Sequence, residues 1–233
     1  DDSILLMEKK PESVRLQTQM ITGVAEEAAE RVMENVSDKT VYTDAQIQFD
    51  RFAKFLQNHK GSFTEVFKRS GINPIDYVSH GVQVAALTVL LCESLKLIRD
   101  EQHRKLITTA CFLHDIGAEK AELPIVFDKI TFTPEQKKKW TAHPSAAVEK
   151  LGSLNHIEQQ VLTIIFQHEE IPNGSGFPKG LQRKEMDPIS CVVSMANRFD
   201  HYSAQFKGDK KAAMAEFFKG ELGKFELDQL ELL

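Results

Sequence analysis

Hydrophobic residues recur along most of this chain at the three- and four-residue spacing of α-helices. Dense apolar segments lie at 77–91, 106–113 and 157–166, and a further one follows Asp187 and Pro188. Stretches that alternate between apolar and polar residues, which are typical of β-strands, are scarce. The pattern therefore predicts an all-α protein built as a helical bundle.

The first 44 residues differ from the rest because they are charged and only moderately amphipathic. We expect an N-terminal helical extension over 1–44 and one helical domain over 45–233. The extension could pack on the bundle, pair with a second copy to form a homodimer, or connect to another domain. A helix is predicted within it at 13–32, with apolar positions Leu16, Met20, Ile21, Val24, Ala28 and Val32.

Composition is that of a soluble globular protein, with 42% hydrophobic and 27% charged residues in a chain of 233. The net charge of −5 argues against binding of long nucleic acids, which attract basic surfaces. No apolar run approaches the roughly 20 residues that span a bilayer, so no membrane span is expected. Cys92, Cys111 and Cys191 lie in apolar helical patterns, which predicts reduced, buried thiols and a cytoplasmic location.

The most informative feature for chemistry is the pair His114-Asp115, which follows the apolar run 106–113. A neutral imidazole and a carboxylate are nitrogen and oxygen ligands for divalent metals. A buried, ionised aspartate is costly unless it is paired or bound to a metal. A single histidine in an apolar helix is nevertheless more often a hydrogen-bonded core residue. The prediction of a metal site therefore depends on ligands from other helices.

Candidate ligands lie on both sides of the pair in the sequence. His80 is in a dense apolar helix, and Asp76 shares its helical face because the two are four residues apart. His143 precedes Pro144, which we interpret as the first residue of a new helix.

Further candidates lie towards the C-terminus. His168 and Glu169 end the run 157–166, although Glu169 and Glu170 could instead form a solvated helix end. Asn197 and Asp200 lie on a helix for which Asp187 is the predicted N-cap. The other histidines have polar neighbours in the sequence and are predicted to be surface residues: His59, His103, His156 and His201.

The order of these motifs resembles the HD-GYP branch of the HD superfamily over about 45–233. The resemblance implies an all-helical bundle with two or three divalent metal ions in its core, commonly iron or manganese. The implied activity is hydrolysis of cyclic di-GMP to pGpG or GMP. The motifs that carry it are His80, His114-Asp115-Ile116-Gly117, His143, His168-Glu169-Glu170 and Gly174-Ser175-Gly176-Phe177-Pro178.

Carried over by position, the resemblance implies metal ligands at His80, His114, Asp115, His143 and His168, and an acid for a third metal at Asp76. The chain also departs from the family pattern. Glu169 stands where the family has a second adjacent histidine, and Asn197 where it has an aspartate. We expect both to serve as oxygen ligands. Phe177 replaces the tyrosine of the GYP motif, and the Arg-Pro-Tyr segment after Asp200 is missing.

The chemistry of such a site follows from two adjacent divalent cations. They lower the pKa of a bridging water towards about 7, and the resulting hydroxide attacks phosphorus in line. Asp115 and Lys120 are the predicted catalytic residues. Lys120, which could replace a family lysine at Ala118, would protonate the leaving ribose oxygen. A glycine-rich loop can approach a ligand closely, and its predicted substrate-binding residues are Gly174, Ser175, Gly176, Phe177 and Pro178.

Two classes of function remain open. The first is a metal-dependent phosphodiesterase that acts on a cyclic dinucleotide. The second is a degenerate relative that binds metal or cyclic dinucleotide as a signalling or protein-interaction module without turnover. The retained histidine and aspartate ligands favour the first, and the missing lysine and arginine favour the second because such cations grip phosphates. A nucleotidase or dNTP hydrolase of the HD type is disfavoured by the loop at 174–178.

Overall fold

The computed structural model describes residues 11–59, 61–68, 77–118, 132–206, 209–226 and 230–231. Within these ranges the chain forms α-helices joined by turns and loops, and one turn of 3-10 helix at Arg183–Glu185. The predicted all-α class is confirmed. The helices are α1 (Pro11–Asn35), α2 (Lys39–Asn58), α3 (Ser62–Phe67), α4 (Tyr77–Ser94), α5 (Glu101–Leu113), α6 (Pro134–Gly152), α7 (Gln159–Gln167), α8 (Pro188–Gln205) and α9 (Lys210–Glu221).

Several of these helices begin where a short polar side chain can cap them. Asp38, Asp100 and Asp187 accept hydrogen bonds from backbone N–H groups in the first turns of α2, α5 and α8. Thr133 starts α6 with a capping box that it forms with Gln136. The prediction that Asp187 caps a helix is therefore confirmed.

The prediction that Pro144 begins a helix is wrong. Helix α6 starts at Pro134 and continues through Pro144 to Gly152. Because proline has no N–H, it leaves the carbonyl four residues earlier without its usual partner in the helix. That carbonyl belongs to Trp140, and the Nδ1–H of His143 donates to it at 2.6 Å.

Helix α4 lies at the centre of the bundle. Its side chains are buried on all faces, and α1, α2, α3, α5 and α8 pack around it. On one side of α5, the ring of Phe112 stacks on Phe49 of α2 at 4.0 Å between centroids and meets Phe52 edge-on at 5.8 Å. This packing holds α5, and therefore the His114-Asp115 pair that follows it, in a fixed place.

Helix α1 packs on α2, α3 and α4 through a face of small residues that includes Ala25 and Ala29. Three of its predicted apolar positions face solvent instead: Leu16, Met20 and Val24 are 59%, 65% and 42% exposed. The N-terminal extension therefore packs on the bundle while it keeps an apolar stripe on the outside. The boundary expected at residue 44 falls inside α2.

Helix α9 is tied to α8 by the buried carboxylate of Glu221. The guanidinium of Arg198 donates to it through Nε at 2.8 Å and through Nη2 at 2.6 Å, and the hydroxyl of Tyr202 donates at 3.1 Å. Burial raises the pKa of Glu221, but Arg198 outweighs burial and holds the pKa below its usual value. Glu221 and Arg198 therefore form an ionised pair.

The three cysteines are buried and free, as predicted. Burial raises the pKa of Cys111 to about 12 and that of Cys191 to about 11, so both thiols stay protonated at neutral pH. Across the part of the chain that the structure describes, no helix combines the length and the apolar character needed to cross a membrane.

Candidate metal centre

The predicted ligands converge on the carboxylate of Asp115, which lies just beyond the C-terminal end of α5. One oxygen, Oδ2, is 3.3 Å from Nε2 of His114 and 3.7 Å from Nε2 of His80. The other, Oδ1, is 3.2 Å from Nε2 of His143 and 3.5 Å from Nε2 of His168. All five side chains are buried. Asp115 thus joins two groups of possible metal ligands, each of two histidines and one carboxylate oxygen.

The orientation of the imidazoles is set by hydrogen bonds on their far sides. In three of them Nδ1–H donates to a backbone carbonyl three residues earlier, and each of these bonds is 2.6 Å long. A carbonyl can only accept, so Nδ1 carries a proton, and in the neutral ring, the form that binds a metal, the Nε2 lone pair points into the site. The pairs are His114 with Cys111, His143 with Trp140, and His168 with Ile165.

These carbonyls are available because of where they stand in their helices. The carbonyls of Cys111 and Ile165 belong to the last turns of α5 and α7, where no N–H group of the helix remains to bond them. The carbonyl of Trp140 lies in mid-helix, and Pro144 deprives it of its ordinary donor. The helix ends and Pro144 therefore leave three carbonyls without a backbone donor, and these carbonyls orient the three imidazole rings.

His80 is oriented in the same way by a carboxylate. Its Nδ1–H donates to Oδ2 of Asp200 on α8 at 2.7 Å, and Asp200 is itself buried. A carboxylate behind a ligating histidine fixes its tautomer and raises its basicity. The sequence places Asp200 on the same helix as Asn197 but does not predict its role behind His80, because the two residues are 120 positions apart.

The converging atoms are acceptors, and a cation suits them better than any protein group. Nε2 of His80 is 3.1 Å from Nε2 of His114, and Nε2 of His143 is 2.9 Å from Nε2 of His168. Neither oxygen of Asp115 has a hydrogen-bond partner among the described residues, although both are buried. Lone pairs that meet around an unpaired carboxylate would repel each other without positive charge. Imidazole nitrogens and carboxylate oxygens are the donors that divalent transition metals take.

Protonation alone does not satisfy this cluster. Burial raises the pKa of Asp115, but the charge of His114 and contacts with His143 and His168 outweigh it and hold the pKa well below its usual range. Burial lowers the pKa of His143, yet the neighbouring Asp115 and Glu169 reverse this and leave it raised. For His168, burial and the positive charge of the nearby imidazoles lower the pKa. Asp115 is therefore ionised, whereas His168 favours its neutral form.

Asn197 and Glu169 lie at the edge of the cluster on the side of His80. Oδ1 of Asn197 is 2.9 Å from Nε2 of His80, and its Nδ2–H donates to Oε1 of Glu169 at 3.2 Å. Both side chains are buried. Oδ1 of Asn197 can therefore add to the ligands around His80, whereas Glu169 bonds the other end of the amide.

Glu170 is buried as well and anchors the loop that follows α7. Its carboxylate accepts hydrogen bonds from the backbone N–H groups of Lys179 at 2.6 Å and Leu181 at 2.8 Å. Gly176 is pressed against the same segment, because a Cβ there would lie only 2.6 Å from the carbonyl oxygen of Glu169. The alternative that Glu169 and Glu170 form a solvated helix end is therefore wrong.

The anchored loop brings Phe177 to the metal centre. Its ring meets that of His143 edge-on, with 6.1 Å between centroids, and Trp140 covers His143 from another side at 4.2 Å. Phe177 is half-buried. The predicted substrate-binding loop thus lies beside one of the two ligand groups. Gly117 makes a similarly close approach, since a Cβ on it would lie 2.6 Å from the backbone nitrogen of Ala147 in α6.

Two predicted site residues, Asp76 and Lys120, lie outside the described residues. Two of the histidines predicted to be on the surface are buried, which corrects that prediction. His201 stacks on His80 with 5.1 Å between ring centroids. His103 accepts from the backbone N–H and the Nε–H of Arg99 at 3.2 and 3.3 Å. Their polar sequence neighbours concealed the burial that helix packing imposes.

Comparison with known proteins agrees with this geometry. The sequence pattern of the HD domain family matches residues 53–219. The chain is similar to the cyclic di-GMP phosphodiesterase response regulator RpfG of Xanthomonas campestris pv. campestris, with 30% identity over 112 residues. This alignment covers 48% of the chain and 29% of RpfG. It is also similar to the cyclic di-GMP phosphodiesterase PdeB of Borreliella burgdorferi, with 23% identity over 177 residues. That alignment covers 73% of the chain and 45% of PdeB. The chain spans less than half the length of either relative.

A solved structure shares the fold. It is Bd1817, an HDG"Y"P protein from Bdellovibrio bacteriovorus, with a TM-score of 0.80 and 26% sequence identity over 97% of this chain and 72% of that one. The HD domain match covers the segments that carry His80, His114, Asp115, His143 and His168. The chain therefore belongs to the HD domain family, and within it to the HD-GYP branch that the order of its motifs indicated.

Proposed function

We propose that this protein is a metal-dependent phosphodiesterase that hydrolyses cyclic di-GMP to pGpG or GMP. The observation that carries the proposal is the buried carboxylate of Asp115, which has no hydrogen-bond partner among the described residues and lies between two pairs of Nε2 atoms. Two cations, each beside one of its oxygens, would satisfy this arrangement. We choose cyclic di-GMP as the substrate because the relatives RpfG and PdeB are both named cyclic di-GMP phosphodiesterases.

The chain's own residues would divide the work among themselves. His80 and His114 with Oδ2 of Asp115 would hold one divalent ion, and His143 and His168 with Oδ1 would hold the other. We propose iron or manganese, since mixed nitrogen and oxygen ligands suit both. When bound, such ions activate water and neutralise phosphate oxygens.

Other residues would handle the substrate. The loop at 174–178 would contact the cyclic dinucleotide, with the ring of Phe177 at the edge of the site. We assign the proton donated to the leaving ribose oxygen to Lys120, and a ligand role for a third cation to Asp76. The remaining parts of the proposal are a signalling partner protein, a homodimer through the exposed stripe of α1, and a cytoplasmic location in keeping with the buried thiols.

The test is hydrolysis of cyclic di-GMP by purified protein loaded with Fe²⁺ or Mn²⁺, with pGpG and GMP separated by chromatography. We expect turnover in the wild type and its loss in His114→Ala. A matched control is His59→Ala, because His59 also bonds a backbone carbonyl, that of Phe55 at 2.9 Å, but lies outside the site. Circular dichroism checks the fold of each variant. Equal rates in the wild type and His114→Ala would refute the proposal.

A second candidate is a binding module without turnover. It is favoured by Asn197, which leaves Asp115 as the one carboxylate in the two ligand groups found among the described residues. Tight binding of cyclic di-GMP by metal-loaded protein, with no product after prolonged incubation, would support this candidate over the enzyme.

A further inference from the structure

We propose that Glu169 acts as a positioning residue, which turns the amide of Asn197 so that its oxygen faces the cation position beside His80. This inference rests on the metal binding that the proposed function requires, and it does not depend on hydrolysis. It departs from the sequence-based expectation that Glu169 is itself a ligand.

The contacts of Asn197 give the first argument. Its Nδ2–H donates to Oε1 of Glu169 at 3.2 Å, while its Oδ1 lies 2.9 Å from Nε2 of His80. The exposed fraction is 1% for Asn197 and 6% for Glu169, so water competes little for either group. The amide is therefore held between an acid and an imidazole.

The donor and acceptor chemistry of the three groups gives the second argument. Oε1 of Glu169 accepts the hydrogen bond from Asn197, so Glu169 selects the NH₂ end of the amide. Nδ1–H of His80 donates to Asp200, so in the neutral ring, which is the form that binds a metal, Nε2 carries a lone pair. An amide free to rotate would also turn its NH₂ end towards that lone pair. Glu169 prevents this and leaves two acceptors, Oδ1 and Nε2, facing the same space.

Two acceptors 2.9 Å apart are satisfied when both bind one cation. Oδ1 of Asn197 then joins His80, His114 and Oδ2 of Asp115 in a mixed set of oxygen and nitrogen ligands. Glu169 is absent from both groups of close ligand atoms found in the described part of the chain, and its Oε1 is occupied by Asn197. Glu169 thus acts behind the ligand, as Asp200 does for His80.

The experiment is a Mn²⁺ titration of metal-free protein, followed by the loss of the free-ion electron paramagnetic resonance signal. Glu169→Gln keeps the size of the side chain, but a glutamine offers the amide both an acceptor and a donor, so Asn197 loses its fixed orientation. We expect one of the two Mn²⁺ ions to bind about 10-fold to 100-fold more weakly. Asn197→Ala should lower the affinity for the same ion. The double variant with Asn197→Ala and Glu169→Gln should bind that ion about as weakly as Asn197→Ala alone.

A reciprocal exchange makes the test specific. In Asn197→Asp two carboxylates face each other with no donor between them, so Mn²⁺ affinity at this position should fall. Adding Glu169→Gln restores a donor and should recover the affinity, although the same substitution weakens binding in the wild type. The control is Glu158→Gln, which changes an acid that bonds Tyr42 and Gln46 away from the site and should leave both ions unaffected.

Three outcomes would overturn the inference. Wild-type affinity in Glu169→Gln would show that the carboxylate has no role. If Glu169→Gln and Asn197→Ala lowered the affinity of two different Mn²⁺ ions, and these effects added in the double variant, Glu169 would be a direct ligand. An absence of Mn²⁺ binding in the wild type would remove this inference and the phosphodiesterase proposal together. If the wild type binds Mn²⁺ but does not hydrolyse cyclic di-GMP, only the proposed function fails.

Discussion

Replacement of Pro144 by alanine should make the protein more stable and its metal centre weaker. A proline inside a helix costs about 3 kcal/mol relative to alanine. Two buried methylene groups of the ring, worth about 0.8 kcal/mol each, are lost in exchange. We therefore expect the free energy of unfolding of metal-free protein to rise by about 1 to 2 kcal/mol. The new N–H group reaches the carbonyl of Trp140, the acceptor that now holds Nδ1–H of His143.

Competition for that carbonyl should loosen the ring of His143. Loss of such a partner behind a ligand typically weakens a metal site 10-fold to 100-fold, and we expect the lower value because a carbonyl has two lone pairs. Urea unfolding of metal-free protein and Mn²⁺ titration measure the two effects. Pro188→Ala is the control, because a proline in the first turn of α8 withholds no N–H that the helix needs. Unchanged metal affinity in a stabilised Pro144→Ala would refute the reasoning.

Two further predictions concern buried carboxylates. Asp200→Asn should lower the affinity for one of the two Mn²⁺ ions 10-fold to 100-fold, because the negative charge that faces Nδ1 of His80 is lost. Calorimetric titration measures this change and should show none in the control Asp50→Asn. Glu221→Gln should cost about 3 kcal/mol of unfolding free energy at pH 7, because it strips Arg198 of its buried partner. The lowered pKa of Glu221 means that this stability is present above its ordinary value of 4.5 and disappears as pH falls through the lowered one. Urea unfolding should show the difference in unfolding free energy between the wild type and Glu221→Gln becoming smaller from pH 7 to pH 3. A difference that stays constant over this pH range would contradict the prediction.

The sequence predicts the ligand types well because they stand in strong local patterns. The apolar run before His114 and Asp115 requires a buried helix, and a buried acid in that place requires a partner. His103 and His201 are also buried, but their polar sequence neighbours predict surface positions. Burial of these two residues comes from helices that are distant in the sequence, so a local window does not report it.

Contacts between distant residues account for the other differences. Glu169 meets Asn197 across 28 positions of the chain, and His80 meets Asp200 across 120. Hydropathy gives the face of a helix on which each residue lies, but not which residue of another helix lies opposite. Pro144 was misplaced for a related reason, since a proline at the start of a helix and one tolerated inside it look alike in the sequence.

The sequence by itself determined that the protein is all-α, where Asp187 caps a helix, and which imidazoles and acids stand in buried segments. These properties follow from the 3.6-residue period and from side-chain chemistry, both of which are local. Only the tertiary structure decided that Asp115 lies between two pairs of histidines, and that Asp200 and Glu169 orient their neighbours. Such arrangements depend on angles and distances between packed helices, which no single segment of the chain encodes.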